Sequence, residues 1–210
     1  MQQGELFIWT DVNPDFEQDF NQWYDKEHME ERASIPGFLW SRRYRSVHGK
    51  RPYLALYRTV GLDVFTSEPY LNIFNNQTDW SRQCFERMMH TKRRVMAVEP
   101  LGGEGTGSHL GLLELDSSNK LSKAQQLTDF LSGSTGVLSH RVLMPDAELS
   151  TPLPSESRED AGLNPILIIE CTDESTASLI VRKCAHELGL EMQNTQVFNL
   201  LWELRSQDLA

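Results

Sequence analysis

The sequence predicts an α+β fold built from two βαββαβ halves in tandem, and three observations carry that expectation. Strand-like and helix-like patterns follow one another in the same order twice along 210 residues. A glycine-rich stretch at residues 101–107 divides the two series. Strands such as 53–57 and 5–10 have large side chains on both faces, the pattern of strands covered on both sides.

The first half opens on a β-rich run, residues 5–10, ended by Asp11 and Pro14. A helix follows, with Asp11 or Asn13 as N-cap, Pro14 at its first position, and Phe16, Phe20 and Trp23 at helical spacing. It stops before Pro36-Gly37. Residues 38–47 read as a strand, 48–50 as a turn and 53–59 as the hairpin partner. A helical region over 67–89 is broken at Asn75-Asn76-Gln77-Thr78, and 94–99 forms the last strand before Pro100. This order is that of a ferredoxin-like unit. The second half repeats it: strand 110–115, helix 124–131, strand 137–144, strand 166–171, helix 175–188 and strand 197–204. A polar, Pro-containing insertion, 146–165, reads as a mobile loop. The expected division is 1–101, a linker at 102–107, and a divergent half at 108–210. The halves match in pattern and hardly in residue identity, so the repeat rests on architecture.

Composition narrows the partners. The formal charge is −10, from 30 acidic and 20 basic residues, a surface that repels nucleic acid and anionic membranes. The cluster Lys92-Arg93-Arg94 is too small to reverse it. No signal peptide and no membrane-spanning run is visible. Cys84, Cys171 and Cys184 are too widely spaced for a disulfide framework or a CxxC metal site and read as reduced core thiols, which favours the cytoplasm. His90, His109, His140 and His186 form no metal-binding pattern, so no metal and no cofactor is expected. Gly102, Gly103, Gly105 and Gly107 lack the Gly-Lys-Ser/Thr of a phosphate loop and read as linker.

Each half has one sheet face covered by helices and one that needs a cover, usually a like sheet. The halves are expected to pack sheet to sheet around a hollow barrel, either within one chain or with a second copy in a homodimer. Two constellations of chemistry follow. On the helix beginning near residue 14, a rotation of about 100° per residue puts Phe16, Phe20, Trp23 and Glu27 on one stripe, with His28 on its rim beside Tyr24. Desolvation raises the pKa of a carboxylate among aromatics, and a Glu next to a His suits acid–base work. The structural alternative has Glu27 bonding an Arg of a neighbouring strand and His28 capping the helix. The second constellation is on the strands, where Trp40, Arg42 and Tyr44 alternate to one side. If that side is shared with Trp9, Asp11 and Tyr57, the cavity holds rings, a cation and an acid, suited to an aromatic or polyketide-like ligand with a carbonyl or enolate. The alternative is core aromatics with a surface Arg–Asp pair.

The run WYDKEHMEERASIPGF, with the opening strand FIWTD and the hairpin RRYRSV–PYLALY, resembles an uncharacterised bacterial family of the dimeric α/β-barrel superfamily, close to the EthD-like proteins. The pattern WYD-x-EH-x-x-ER-x-x-x-PGF is kept at Trp23, Tyr24, Asp25, Glu27, His28, Glu31, Arg32, Pro36, Gly37 and Phe38. The resemblance covers most of the first half and is weak over the second. It implies the fold more than a reaction: related barrels include cofactor-free monooxygenases, lactone isomerases, polyketide cyclases and haem proteins. A haem reading would need an axial ligand, for which His186 is the candidate.

Two functions are therefore expected in competition. One is a small-molecule enzyme with His28 as acid–base, Glu27 orienting it, and Arg42, Tyr44 or Asp11 stabilising charge on a substrate oxygen. The other is a non-catalytic ligand-binding or structural barrel in which the same residues hold helix to sheet. A cavity faced by His28 favours the first; a fully paired Glu27 and no cavity favour the second.

Overall fold

A computed structural model describes residues 2–46, 48–49, 51–150, 156 and 162–209. The first half runs β1 (Gly4–Val12), α1 (Glu17–Trp23), a π-helical turn (Tyr24–His28), α2 (Met29–Ala33), β2 (Phe38–Arg45), β3 (Tyr53–Thr59), α3 (Glu68–Asn75), α4 (Asp79–Arg87) and β4 (Met88–Gly103). The second runs β5 (His109–Glu114), α5 (Ser118–Gln126), α6 (Thr128–Ser132), β6 (Val137–Pro145), β7 (Ile166–Cys171), α7 (Glu174–Leu188) and β8 (Thr195–Arg205). The element order is βαββαβ twice, as expected. Val47, Lys50 and residues 151–155 and 157–161 of the 146–165 insertion lie outside the described residues.

Local chemistry sets the helix ends. Asn13 Oδ1 accepts from Asp15 N at 3.1 Å, starting a 3₁₀ turn at Pro14 that leads into α1. Ser67, Thr78 and Asp173 cap α3, α4 and α7 through their side-chain oxygens, and Gly189 ends α7 in the left-handed conformation at φ 61°. β4 differs most from expectation. It begins six residues earlier than 94 and continues past Pro100 to Gly103, because a bulge between Pro100 and Gly102 accommodates the missing N–H.

The strands close into an antiparallel barrel in the order β1-β3-β2-β8-β5-β7-β6-β4. The halves meet edge to edge, through β2–β8 and β4–β6, within one chain. The expected hollow is absent from the centre. Phe7, Trp9, Tyr44, Leu54, Leu56, Met96, Leu112, Ile168 and Phe198 fill it as one buried cluster. Toward one end the filling is ionic. Glu5 and Glu170, both 0% exposed, share Arg141: Arg141 Nη2 lies 3.3 Å from Glu5 and Nη1 3.1 Å from Glu170. Arg58 Nε donates to Glu5 at 2.8 Å, and Arg42 bonds Glu203 and lies 3.8 Å from Glu170. Burial alone would raise the Glu5 carboxyl, but Arg141 and Arg58 outweigh it and hold it below the ordinary carboxylate range.

Outside the barrel, two separate cores lie between sheet and helices. The first-half core is aromatic, with Phe20, Trp23, Tyr24, Phe38, Tyr53, Tyr57 and Tyr70. The second-half core is aliphatic, with Leu113, Leu131, Leu167, Ile169, Ile180 and Leu188. The three cysteines are unbridged and buried, and burial pushes each thiol up to about 12. Among the described residues no helix is long and apolar enough to cross a membrane.

Replacing Glu170 tests the ionic end. Glu170→Ala leaves Arg141 with Glu5 alone and strips the Gly107 N–H of its acceptor, a 3.1 Å contact. Breaking a buried pair costs about 3–5 kcal/mol, so the urea midpoint is expected to fall accordingly. An unchanged midpoint would show that the network contributes nothing to stability.

Candidate active site

The helical segment that follows β1 does not keep one period. The π-helical turn at Tyr24–His28 absorbs extra residues per turn, so positions after it rotate relative to an unbroken α-helix. His28 therefore faces inward at 4% exposure and Glu27 is only partly buried; Phe16, in the 3₁₀ turn ahead of α1, is 37% exposed. This reverses the expected order, in which Glu27 held the centre of the apolar face and His28 its rim. Glu27 Oε1 instead accepts from Thr78 Oγ1 at 2.6 Å and Ser81 Oγ at 3.1 Å, pinning the N-terminus of α4, where a carboxylate is favoured. No arginine bonds it among the described residues.

A cavity of about 360 Å³ lies between the outer face of the first sheet and its helices. Its floor is Leu6 and Ile8 of β1, Tyr57 of β3 and Arg93 of β4. Tyr24, His28 and Arg32 form one wall; Tyr70, Phe74 and Gln77 of the α3 region and Phe85 of α4 form the other. The lining is aromatic with a few buried polar groups, the composition of a small-molecule site.

His28 is held by rings. It stacks on Trp23 at 4.1 Å between centroids and meets Tyr24, Phe85 and Tyr57 edge-on at 5.3, 5.9 and 6.2 Å. Its Nδ1 is closed off from solvent 3.4 Å from Glu31 Oε2, and neither atom completes a hydrogen bond there. Arg32, 4% exposed, reaches the same Glu31 oxygen at 4.0 Å. Its Nε and Nη1 find no hydrogen-bond partner among the described residues. Burial, then the Arg32 charge, hold the His28 pKa down to about 4 against the pull of Glu31. Burial likewise raises the Tyr24 and Tyr57 phenols, Tyr57 more strongly.

The two sequence constellations are divided differently from their expected grouping. His28, Tyr24 and Tyr57 come together at this cavity. Trp9, Arg42 and Tyr44 face the barrel interior, and half-buried Trp40 joins them with Arg42 stacked 3.8 Å above its ring. Tyr57 cannot join that set because it pairs with Leu6 and Ser41 on the opposite, helix-covered face. Asp11 lies beyond a register shift after Trp9, where its Oδ1 accepts from Val12 N. Arg32 and Arg93 line the cavity and Glu31 stands beside His28, and none of the three was expected at a site from the sequence. Glu31 and Arg32 stand three and four residues after His28, the spacing of helix neighbours, which is a usable signal. Arg93 was hidden in a basic cluster until β4 proved to begin at Met88.

A second, larger and more polar space of about 660 Å³ opens at the barrel mouth above Trp9. Lys92 and Glu114 pair across it at 2.8 Å, and Trp9 Nε1 donates to the Arg51 carbonyl. Its buried lysine is thus already matched by a carboxylate.

The site makes a stability prediction. The unfolded chain protonates His28 near pH 6.5 and the folded chain only near 4. Between these values the unfolded state binds more protons, so the contribution is present above pH 6.5 and lost as pH falls toward 4. Its size is on the order of 3 kcal/mol. His28→Gln is expected to flatten this part of the profile, read as the wild-type-minus-variant difference in urea stability at pH 7.5 and 4.5. Parallel profiles would mean that the imidazole is not buried in its neutral form.

No family model and no curated protein matches the chain. Solved structures do. An anthrone oxidase-like protein superposes with a TM-score of 0.65 at 10% identity, over 100% of this chain and 95% of its own. A candidate monooxygenase from Lactobacillus acidophilus gives 0.53 at 9% identity, over 98% and 97%. A heme-binding protein from Thermus thermophilus gives 0.50 at 10%, over 96% and 92%. The second half does not fit haem: His186 points to solvent with its side chain 88% exposed, and aliphatic side chains fill the space beneath α7. The chain has the fold of the dimeric α/β-barrel proteins, with both halves of the barrel supplied by a single polypeptide.

Proposed function

We propose that the chain is a small-molecule enzyme that removes a proton from a hydrophobic, oxygenated substrate bound between the first sheet and its helices. The observation that carries this reading is His28, a buried imidazole kept neutral at pH 7 and lining an apolar cavity beside a cation with unused donors. Glu31 takes the orienting part that the sequence suggested for Glu27, and Arg32 the charge-stabilising part suggested for Arg42, Tyr44 or Asp11.

A proton on Nδ1, which lies 3.4 Å from the Glu31 carboxylate, leaves the Nε2 lone pair as the base. It accepts a proton from an acidic C–H beside a carbonyl, or from a phenol, and the electron pair left behind moves onto the substrate oxygen. Arg32 offsets that developing charge, and its effect is large because water is excluded. Tyr24 and Tyr57, both raised above the ordinary phenol range, stay protonated and serve as donors. Trp9, Trp40, Arg42 and Tyr44 belong in this reading to the barrel core. The names of the structural neighbours favour dioxygen as the acceptor of the electrons, and anthrone as the first probe: anthrone plus O₂ gives anthraquinone plus water.

The protein is expected to speed both deuterium exchange at the anthrone methylene, followed by NMR, and oxygen uptake. His28→Gln is expected to lower the rate by about 10²–10⁴ while melting close to wild type at pH 8. A variant that melts far lower yet keeps its turnover overturns the assignment. Glu27, engaged in pinning α4, favours a second reading as a non-catalytic binding barrel; anthrone that binds without exchanging would select it.

A further inference from the structure

Arg93 is a second buried cation of the same cavity, and the proton transfer gives it no task. It projects from the outer face of β4 and is 6% exposed. Its Nη2 donates to Tyr70 Oη at 3.0 Å, its Nη1 to the Leu149 carbonyl at 3.1 Å, and its guanidinium carbon lies 5.5 Å from the Phe74 ring centre. Both hydrogen bonds go to neutral oxygens. The buried arginines of the barrel are treated differently: Arg42, Arg94 and Arg141 each meet a carboxylate. Among the described residues no carboxylate comes within ion-pairing distance of Arg93, and Glu86, the one acidic side chain lining the cavity, belongs to an exposed residue. A buried cation without a counter-charge is costly, in a chain whose formal charge is −10.

The strand register sets its distance from the reacting end. Arg93 is opposite Ile8 on one side of β1, and Tyr57 is opposite Leu6 on the other. Neighbouring strands lie about 4.8 Å apart, so the two Cα atoms are separated by roughly 10–12 Å. His28 stands over Tyr57, and only Leu6 and Ile8 form the floor between. The cavity thus has a cation at each end of an apolar strip.

We infer that the ligand is a flat hydrophobic carboxylate, an aromatic acid of two or three fused rings, with its acid group on Arg93 beside Tyr70 and its oxygenated, reacting end at His28. This rests on reading the cavity as the substrate site. The carboxylate supplies the missing counter-charge through charge-assisted hydrogen bonds, and it fixes which end of the molecule reaches the base.

Fluorescence titration with 2-anthracenecarboxylate and with its primary amide at pH 8 tests the assignment. The wild-type chain is expected to bind the acid at least tenfold more tightly than the amide. Arg93→Met should bring the acid down to the amide's affinity and leave the amide unchanged. Arg93→Lys should keep part of the preference, as should Tyr70→Phe, which keeps the fold should the methionine variant melt early. His28→Gln should keep all of it, so failure of the acid–base reading leaves this result intact, and anthrone turnover survives failure of the anion anchor. Equal binding of acid and amide, a preference that survives Arg93→Met, its loss in Arg32→Met instead, or no binding of either probe overturns the inference.

Discussion

An unpaired strand edge in water is a row of backbone donors and acceptors waiting for another strand. Each half of this chain is a four-stranded sheet, β4-β1-β3-β2 or β8-β5-β7-β6, with two such edges. Pairing β2 with β8 and β4 with β6 satisfies all four at once, and closure then dictates the rest. The inner faces converge on an enclosed volume that must be filled. Phe7, Tyr44, Leu112, Ile168 and Phe198 fill it, while the charges that remain inside pair with one another, Arg42 with Glu170 and Arg141 with Glu5 across the halves and Arg141 with Glu170 within the second. With the interior occupied, the two cavities described lie beneath the helices of the first half and at the barrel mouth.

The halves differ beneath their helices for a reason visible in side-chain size. Gly111 on β5 lets α7 approach so closely that an added Cβ would stand 2.5 Å from Val181. Aliphatic side chains complete that interface. On the first half the outer face carries Tyr57 and Arg93, and Tyr24, Trp23 and Tyr70 face it from the helices. Rigid rings that meet edge-on and long guanidinium stems hold the helices off the sheet, so a cavity persists there. The same rings desolvate His28, so the packing that makes the space also holds its pKa down to about 4.

The segment 23–38 shows how far the sequence could be read. Its aromatic content and its run of Glu, His and Arg drew attention to this segment, and Tyr24 and His28 both line the cavity. Glu27 was expected at the centre of the apolar face, and it bonds Thr78 and Ser81 while Glu31 stands beside His28, because the expectation used one helical period throughout. A π turn is a tertiary accommodation, and no propensity of Tyr24-Asp25-Lys26-Glu27-His28 announces it. Tyr57 was likewise assigned to the barrel interior although its alternation with Leu54 and Leu56 was correctly read. Alternation tells which residues share a face, never which face turns inward.

The succession of strands and helices, the break at Asn75–Thr78, the extent of β3 and β7 and the α+β barrel class were all determined by the sequence, since they follow from local spacing, capping and turn chemistry. Whether the barrel closes within one chain, what fills it, which carboxylate reaches His28 and which buried arginine of the cavity lacks a counter-ion among the described residues were decided only by the tertiary structure. Those outcomes depend on contacts between residues such as Glu5 and Arg141, or His28 and Tyr57, that lie far apart along the chain, and nothing in local order encodes which distant partner wins.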